Sequence, residues 1–471
     1  MKRAALILGP ALYACTMLMP APGAMSEAGW RVAGTAAWMA TWWMTGAVPL
    51  EATSLLPLIL LPAAKVMSLA DVTTPYADPV IFLFLGGFFL AATLERWDLH
   101  RRFALWTVRS VGTDAPRVVL AFMLASGLAS MWISNTATAV MMLPIGMAVA
   151  GPVREHDEAG FPTALMLGIA YAASIGGVAT LIGTPPNAIF AGAARELLGT
   201  DVSFADWMLL ALPISVVMLA VCWFVLVHLF RVKGPVPGLA ETVARERGKL
   251  GSLTGGERFV VSVFALTAIA WIFREPKVLG SVRVPGLSDV LPGISDAQIA
   301  MGASLVLFVV PLRRARFRVA LDWDSAKRIP WGVLLLFGGG LALAAAFEKS
   351  GLTEWVAGQL AGLRGVPFPV VIGATAVLFL ALTELTSNTA TAALGMPLIV
   401  AAARGLGQPA LPLMATIALS SSMAFMLPVA TPPNAIVFGS GAVAARDMLR
   451  AGVRVVAFSL TLVTLVIWAW S

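Results

Sequence analysis

Two short strings, each present twice, carry the chemistry this chain offers. Ser134-Asn135-Thr136-Ala137-Thr138-Ala139 returns unchanged as Ser387-Asn388-Thr389-Ala390-Thr391-Ala392. Downstream of each lies a second pair, Thr184-Pro185-Pro186-Asn187-Ala188-Ile189 and Thr431-Pro432-Pro433-Asn434-Ala435-Ile436. Ser, Asn and Thr are poor helix formers and good N-caps, because their side-chain oxygens bond the orphan amides of a helix start. Each Ser-Asn-Thr therefore breaks a helix and opens the next. Such a tip presents free amides, hydroxyls and the positive end of a helix dipole, which hold an anion without any basic side chain. The paired prolines act from the other direction: they remove two amide donors and leave upstream carbonyl oxygens without partners. With Gly183 and neighbouring hydroxyls, those oxygens make a hard-donor cradle suited to sodium. One capped break or one proline kink is a common structural device. Two copies of both, with Asn after each Pro-Pro pair, point to a ligand.

The segments that must position these strings belong in lipid. The 471 residues are 59% hydrophobic and 12% charged, with a mean hydropathy of +0.87, and no water-soluble core of this size needs that balance. A hydrocarbon core takes about 20 apolar residues per helical crossing. Runs such as 216–230 and 456–470 are apolar on every face, unlike the alternating strands of a barrel. The expected architecture is all-α, with about 11 transmembrane helices at 4–22, 30–48, 50–68, 79–95, 161–192, 207–230, 259–273, 297–311, 331–348, 411–440 and 453–470. Two re-entrant hairpins, 118–150 and 369–402, are expected with a Ser-Asn-Thr at each tip and a short half-helix after it. Unwound breaks are expected at 183–187 and 430–434. Bare backbone in hydrocarbon is costly, so the tips must be buried in protein or line an aqueous cavity.

Charge sets the orientation. Lys2 and Arg3 precede the first apolar run, which places the N-terminus in the cytoplasm. That run, ending at Met19-Pro20-Ala21-Pro22, reads as an uncleaved span and not as a signal peptide, since a second span follows at once. The loops 96–117, 152–160, 231–258, 312–330 and 446–454 then share the cytoplasmic side and hold most of the 32 Lys and Arg residues. Arg313, Arg314, Arg316, Arg318, Lys327 and Arg328 form the densest cluster, while Asp71, Asp78, Asp201, Asp206 and Asp289 fall outside. The formal charge of +7 thus marks one side of an inner membrane and not a nucleic-acid surface, and the C-terminus falls on the external side. Cys15 and Cys222 lie in separate apolar runs and suggest no disulfide. His100, His156 and His228 are scattered and suggest no zinc or haem site.

The strings also define a repeat. Gly86-Gly87 runs to Glu95 as Gly339-Gly340 runs to Glu348, and Pro144 maps onto Pro397 at the same offset as the Ser-Asn-Thr strings. An N-terminal span (1–29), a first repeat (30–231), a basic cytoplasmic loop (232–258) and a second repeat (259–471) follow. An odd number of crossings separates the equivalent helices, so the second unit enters the membrane upside down, which is a transporter architecture. A membrane enzyme would need a paired Asp, a His cluster or a Ser/His couple within the spans, and none is visible. A receptor or scaffold leaves the duplicated tips unexplained. Glu384, three residues before Ser387, is a candidate for ion coupling, while Glu95 and Glu348 fall at the interface. With no Lys or Arg evident in the core, cations must balance a doubly negative substrate, which favours cotransport.

At these residues the sequence resembles the divalent anion/sodium symporter family of sodium-coupled dicarboxylate and sulfate carriers. The match rests on both Ser-Asn-Thr strings, on Trp42-Trp43-Met44-Thr45 leading to Ala52-Thr53-Ser54-Leu55-Leu56-Pro57, and on the stretch from Ser421 to Val437. The resemblance implies a homodimer whose protomers each join a fixed scaffold domain to a transport domain moving as an elevator. It implies two or more sodium ions. The first site would use Ser130, Ser134, Asn135 and the Gly183 carbonyl; the second, Thr383, Thr386, Asn388 and the Ala430 carbonyl. Substrate carboxylates would meet Asn135, Thr136, Thr184, Asn388, Thr389, Thr431 and Pro432. One departure is Gly46, where the family often carries Glu. The expected activity is sodium-coupled symport of C4-type dicarboxylates. Sodium-independent exchange, carriage of sulfate or another oxyanion, and an arsenite- or citrate-type carrier of the wider ion transporter group are the alternatives. The motifs do not choose among succinate, malate, fumarate, 2-oxoglutarate, tartrate and sulfate.

Overall fold

The computed structural model describes residues 2–112, 114–154, 160–236, 238, 241, 244–245, 248–279, 282–312 and 318–471. His156 and Arg313, Arg314 and Arg316 of the basic cluster lie outside the described residues, as do parts of the loops 152–160 and 231–258. Among the described residues the chain is a helical bundle, and eight helices are long and apolar enough to cross a membrane. Six of them fall on expected spans, and two, Phe368–Leu385 and Asn388–Leu406, are the arms of the hairpin expected at 369–402. Of the remaining expected spans, Glu27–Thr45 is one helix of 19 residues and the others are shorter or divided. Segment 50–68 is two pieces, Leu50–Thr53 and Leu56–Ala63, interrupted where Pro57 starts the second piece. Elements not expected include helices Leu99–Val111 and Leu352–Leu360 and an antiparallel pair of strands, Lys277–Leu279 with Val282–Val284.

Helix starts are fixed by their own side chains. Ser203 with Asp206, Thr254 with Glu257 and Ser295 with Gln298 form reciprocal capping boxes, each satisfying two otherwise orphan amides. The helices differ in burial. Gly160–Val178 is buried along its whole length, whereas Gly255–Ile272 buries only 28% of its apolar window. The first is an axis of the protein interior; the second presents Leu266 and Ile269 outward, as suits a helix solvated by lipid.

Each Ser-Asn-Thr separates two packed helices: Ala115–Ser130 from Asn135–Arg154, and Phe368–Leu385 from Asn388–Leu406. The second arms correct an expectation, for they are not short half-helices. They run 20 and 19 residues, about 30 Å of axis at 1.5 Å per residue. Helix therefore continues past Pro144 and Pro397, with Pro397 inside its helix.

The Pro-Pro breaks also lie elsewhere than expected. Helix Gly160–Val178 ends before an irregular segment, 179–184, and Ala410–Ser421 ends before 422–431. The prolines do not unwind the chain at their own positions; they open the next helices, Pro185–Leu198 and Pro432–Gly439. Proline suits the first helical turn, where its missing amide would have no partner anyway.

The two halves interlock. Pro185–Leu198 of the first half packs on Asn388–Leu406 and Ala410–Ser421 of the second. Pro432–Gly439 of the second half packs reciprocally on Asn135–Arg154 and Gly160–Val178 of the first. Tyr171 ties them further: its hydroxyl, fully buried, lies 2.7 Å from the Phe425 carbonyl oxygen and 3.1 Å from that of Met448.

Candidate functional site

Behind each tip a buried hydroxyl meets the tip asparagine. Ser130 Oγ donates to Asn135 Oδ1 at 2.6 Å, and Thr383 Oγ1 lies 2.6 Å from Asn388 Oδ1. Ser130 and Thr383 occupy equivalent positions of the two repeats and both are completely buried. Thr383 is bound twice, since the Ser421 carbonyl oxygen is 2.8 Å away. The tips are not identical: Ser134 Oγ accepts from the Ala137 amide, whereas Ser387 makes no side-chain cap bond. In the second tip Thr386 pairs instead with Thr391, hydroxyl to hydroxyl at 2.6 Å.

The irregular segments are stitched by the asparagines that follow the prolines. Asn187 Nδ2 reaches back to the carbonyl oxygens of Gly177, Val178 and Thr180 at 3.2, 3.1 and 2.7 Å. Asn434 Nδ2 does the same for Ala424 and Leu427 at 3.4 and 3.1 Å. Asn thus restores donors that a broken helix lacks. The carbonyls of Gly183 and Ala430 stay open: the proline three residues on has no N–H, and no backbone donor reaches either among the described residues. Close approach makes the first cradle possible, because a methyl group at Gly177 would overlap the Asn135 carboxamide oxygen and one at Gly183 would overlap the Gly177 carbonyl.

Glu384, the candidate for ion coupling, has a structural task. Its carboxylate is only 3% exposed, and it accepts the amides of Phe425 and Met426 on Oε1 (2.9 and 3.0 Å) and of Leu427 on Oε2 (3.2 Å). Three charge-assisted bonds fix the second irregular segment. The repeat equivalent of Glu384 is Met131, whose carbonyl receives the Thr180 hydroxyl, so one half uses a carboxylate where the other uses backbone. Glu348 pairs with Arg404 at 2.8 Å on the surface.

Tips and irregular segments meet around one cavity of about 1330 Å³. From the first half Ser134, Asn135, Thr136, Gly183 and Thr184 line it; from the second, Thr386, Asn388, Thr389, Ala430, Thr431 and Pro432. With Ser130 and Thr383 behind, every residue expected at the site from sequence is gathered here. The remaining wall is largely apolar and aromatic, with Trp43, Phe84 and Phe88, and includes Gly46. Sequence reasoning missed the charges on that wall. Contrary to a core without basic residues, Arg96 and Arg328 border the cavity, as does Glu95. Arg96 Nη2 pairs with Asp322 Oδ2 at 2.6 Å and its Nη1 bonds Ser325 Oγ at 3.2 Å. Nothing in a linear reading links residue 96 to 322; both had the look of loop charges marking one membrane side.

A helical membrane protein whose two halves meet in broken helices around a polar cavity is a secondary transporter. The chain belongs to the sodium:sulfate symporter family, whose transmembrane-region model matches residues 2–471. It is similar to the sodium-dependent dicarboxylate transporter SdcS of Staphylococcus saprophyticus, 39% identical over 474 residues, covering 98% of this chain and 90% of that protein. SdcS of Staphylococcus aureus (strain MW2) matches with the same identity and coverage. Among solved structures, MtrF of Neisseria gonorrhoeae, described as illuminating a class of antimetabolite efflux pumps, aligns with a TM-score of 0.59 at 14% identity over 100% of this chain and 94% of that one. The YdaH transporter of Alcanivorax borkumensis aligns with a TM-score of 0.58 at 17% identity over 92% and 97%. Those two likenesses concern the fold.

Proposed function

We propose that this chain is a sodium-dependent dicarboxylate transporter, an inner-membrane symporter that moves a C4-type dianion and two or more sodium ions together. The observation that carries the reading is the twofold arrangement of the cavity: a hydroxyl-to-carboxamide contact of 2.6 Å behind each tip, beside an irregular segment with an open carbonyl. The curated relatives at 39% identity are sodium-dependent dicarboxylate transporters, which favours a dicarboxylate over sulfate as substrate.

Hard oxygen donors of this kind suit sodium. Ser130, Ser134, Asn135 and the Gly183 carbonyl would hold one ion; Thr383, Thr386, Asn388 and the Ala430 carbonyl would hold its symmetry mate. Once the ions bring positive charge to the cradles, Asn135, Thr136, Thr184, Asn388, Thr389, Thr431 and Pro432 meet the substrate carboxylates with amides, hydroxyls and helix N-termini. Alternating access then follows from inverted repeats, with the hairpins and broken helices moving as an elevator against a scaffold that includes Glu27–Thr45 and Pro79–Arg96. Eleven crossings with re-entrant hairpins, a cytoplasmic N-terminus, an external C-terminus and a homodimer complete the reading.

The test is uptake of radiolabelled succinate into proteoliposomes. Sodium-driven uptake that other C4 dicarboxylates inhibit is expected. Uptake undiminished when choline replaces sodium turns the assignment to an exchanger, and inhibition by sulfate but by no dicarboxylate turns it to an oxyanion carrier.

A further inference from the structure

The cavity is lined by helix termini as well as by the polar tips. Glu95 and Arg96 are the last residues of Pro79–Arg96, and Ser325 and Arg328 lie just ahead of Trp331–Lys349. The neighbouring charges are taken: Asp322 by Arg96 at 2.6 Å, and Asp324 by Lys327 at 2.7 Å. Arg328 and Glu95 are not. Both are exposed, both line the cavity, and neither makes an ion pair or side-chain hydrogen bond with a described residue, including each other. Apposed, they would cancel; held apart, each keeps its field.

We propose that Glu95 and Arg328 form a separated charge pair at the cavity entrance that collects the two cosubstrates, Arg328 the dicarboxylate and Glu95 the sodium ion. This rests on the transport reading and adds an encounter step to it. The donors at the tips are neutral, so before sodium binds they exert little long-range pull on a dianion. The cavity lining also carries Phe84, Phe88, Ile329 and Val333, and low-dielectric walls of this kind concentrate the field of a charge beside them. A doubly charged ligand gains twice what a singly charged one gains from the same guanidinium. The Asp322–Arg96–Ser325 contacts hold the short helix Trp323–Ala326 against the end of Pro79–Arg96, which fixes where Arg328 emerges.

The experiment uses full-length protein oriented in proteoliposomes, with radiolabelled succinate and sodium supplied separately from the Arg328 face and from the opposite face. Arg328→Gln raises the succinate KM from its own face roughly 3- to 10-fold, leaving kcat and the sodium half-saturation within about twofold. Glu95→Gln does the reverse, raising the sodium half-saturation and not the succinate KM. Arg328→Lys and Glu95→Asp restore wild-type values. High concentrations of choline chloride shrink both differences, since the Debye length falls to about 3 Å at 1 M. Equal shifts from both faces, no shift from either, or shifts that survive high salt overturn the proposal while leaving sodium-driven uptake intact. Wild-type protein that takes up no succinate with sodium overturns this proposal and the transport reading together.

Discussion

Replacing Glu384 with alanine removes the acceptor of three consecutive amides, those of Phe425, Met426 and Leu427. Only the Phe425 amide is in fully buried surroundings; the other two bonds are half-buried, so water can replace part of what is lost there. Leaving one buried donor unsatisfied costs roughly 1–3 kcal/mol, and each exchanged half-buried bond about 0.5–1 kcal/mol. The sum is about 3 kcal/mol, or about 100-fold in the ratio of ordered to open segment. Tyr171 still holds the Phe425 carbonyl at 2.7 Å, so the loss is local and the fold survives. Glu384→Gln keeps one acceptor oxygen but turns an NH2 toward the Leu427 amide, and about 10-fold is expected. Hydrogen–deuterium exchange of residues 422–431 reads this directly: amides 425–427 exchange about 100-fold faster in the alanine variant, with residues 179–184 unchanged. The sodium half-saturation of uptake rises by less than the exchange rate, because apparent affinity follows the fraction of binding-competent protein, which stays near one while the ordered segment outweighs the open one. Unaltered exchange at 425–427 in Glu384→Ala would refute the reasoning, as would equal acceleration in the first half.

Other perturbations follow from the same geometry. Asn135→Ala and Asn388→Ala each lower uptake by about 100-fold or more, since each removes a cradle oxygen and a substrate contact at once, with elution on gel filtration unchanged; robust uptake by both counts against the site. Thr383→Ala weakens sodium dependence more than Ser130→Ala, because Thr383 contacts both Asn388 and the Ser421 carbonyl while Ser130 contacts Asn135; sodium titrations of the two variants compare them. Gly177→Ala abolishes uptake by driving a methyl into the Asn135 carboxamide, and Gly358→Ala, inside helix Leu352–Leu360 with open space around it, leaves uptake largely intact. Uptake assays on matched amounts of purified protein distinguish the two.

The site was legible in the sequence where chemistry is local and repeated. Ser-Asn-Thr breaks a helix by its own side chains, and its second copy at a fixed offset gave away the partner tip. Thr-Pro-Pro-Asn was legible as a break but misplaced, because proline's lack of an amide fits the start of the next helix as well as the end of the last. The 19- and 20-residue arms were underestimated because propensity does not show how far tertiary packing extends a helix past a proline. The structural task of Glu384 was not legible, since its partners lie some forty residues on, in a segment whose irregular backbone no periodicity predicts. The same limit hid the cavity wall: Glu95 and Arg328 belong to different halves, and only the packed helices bring them to one mouth.

The reciprocal packing of the halves bears on how the protein is made. Helix Pro432–Gly439 completes the surroundings of Asn135–Arg154, so the first hairpin waits, through synthesis of nearly the whole chain, for the element that shields its polar tip. A nascent first half released into the bilayer alone would carry an unmet need for a complementary stretch of protein. Co-expressing residues 1–258 and 259–471 as separate polypeptides should therefore rescue what neither achieves singly.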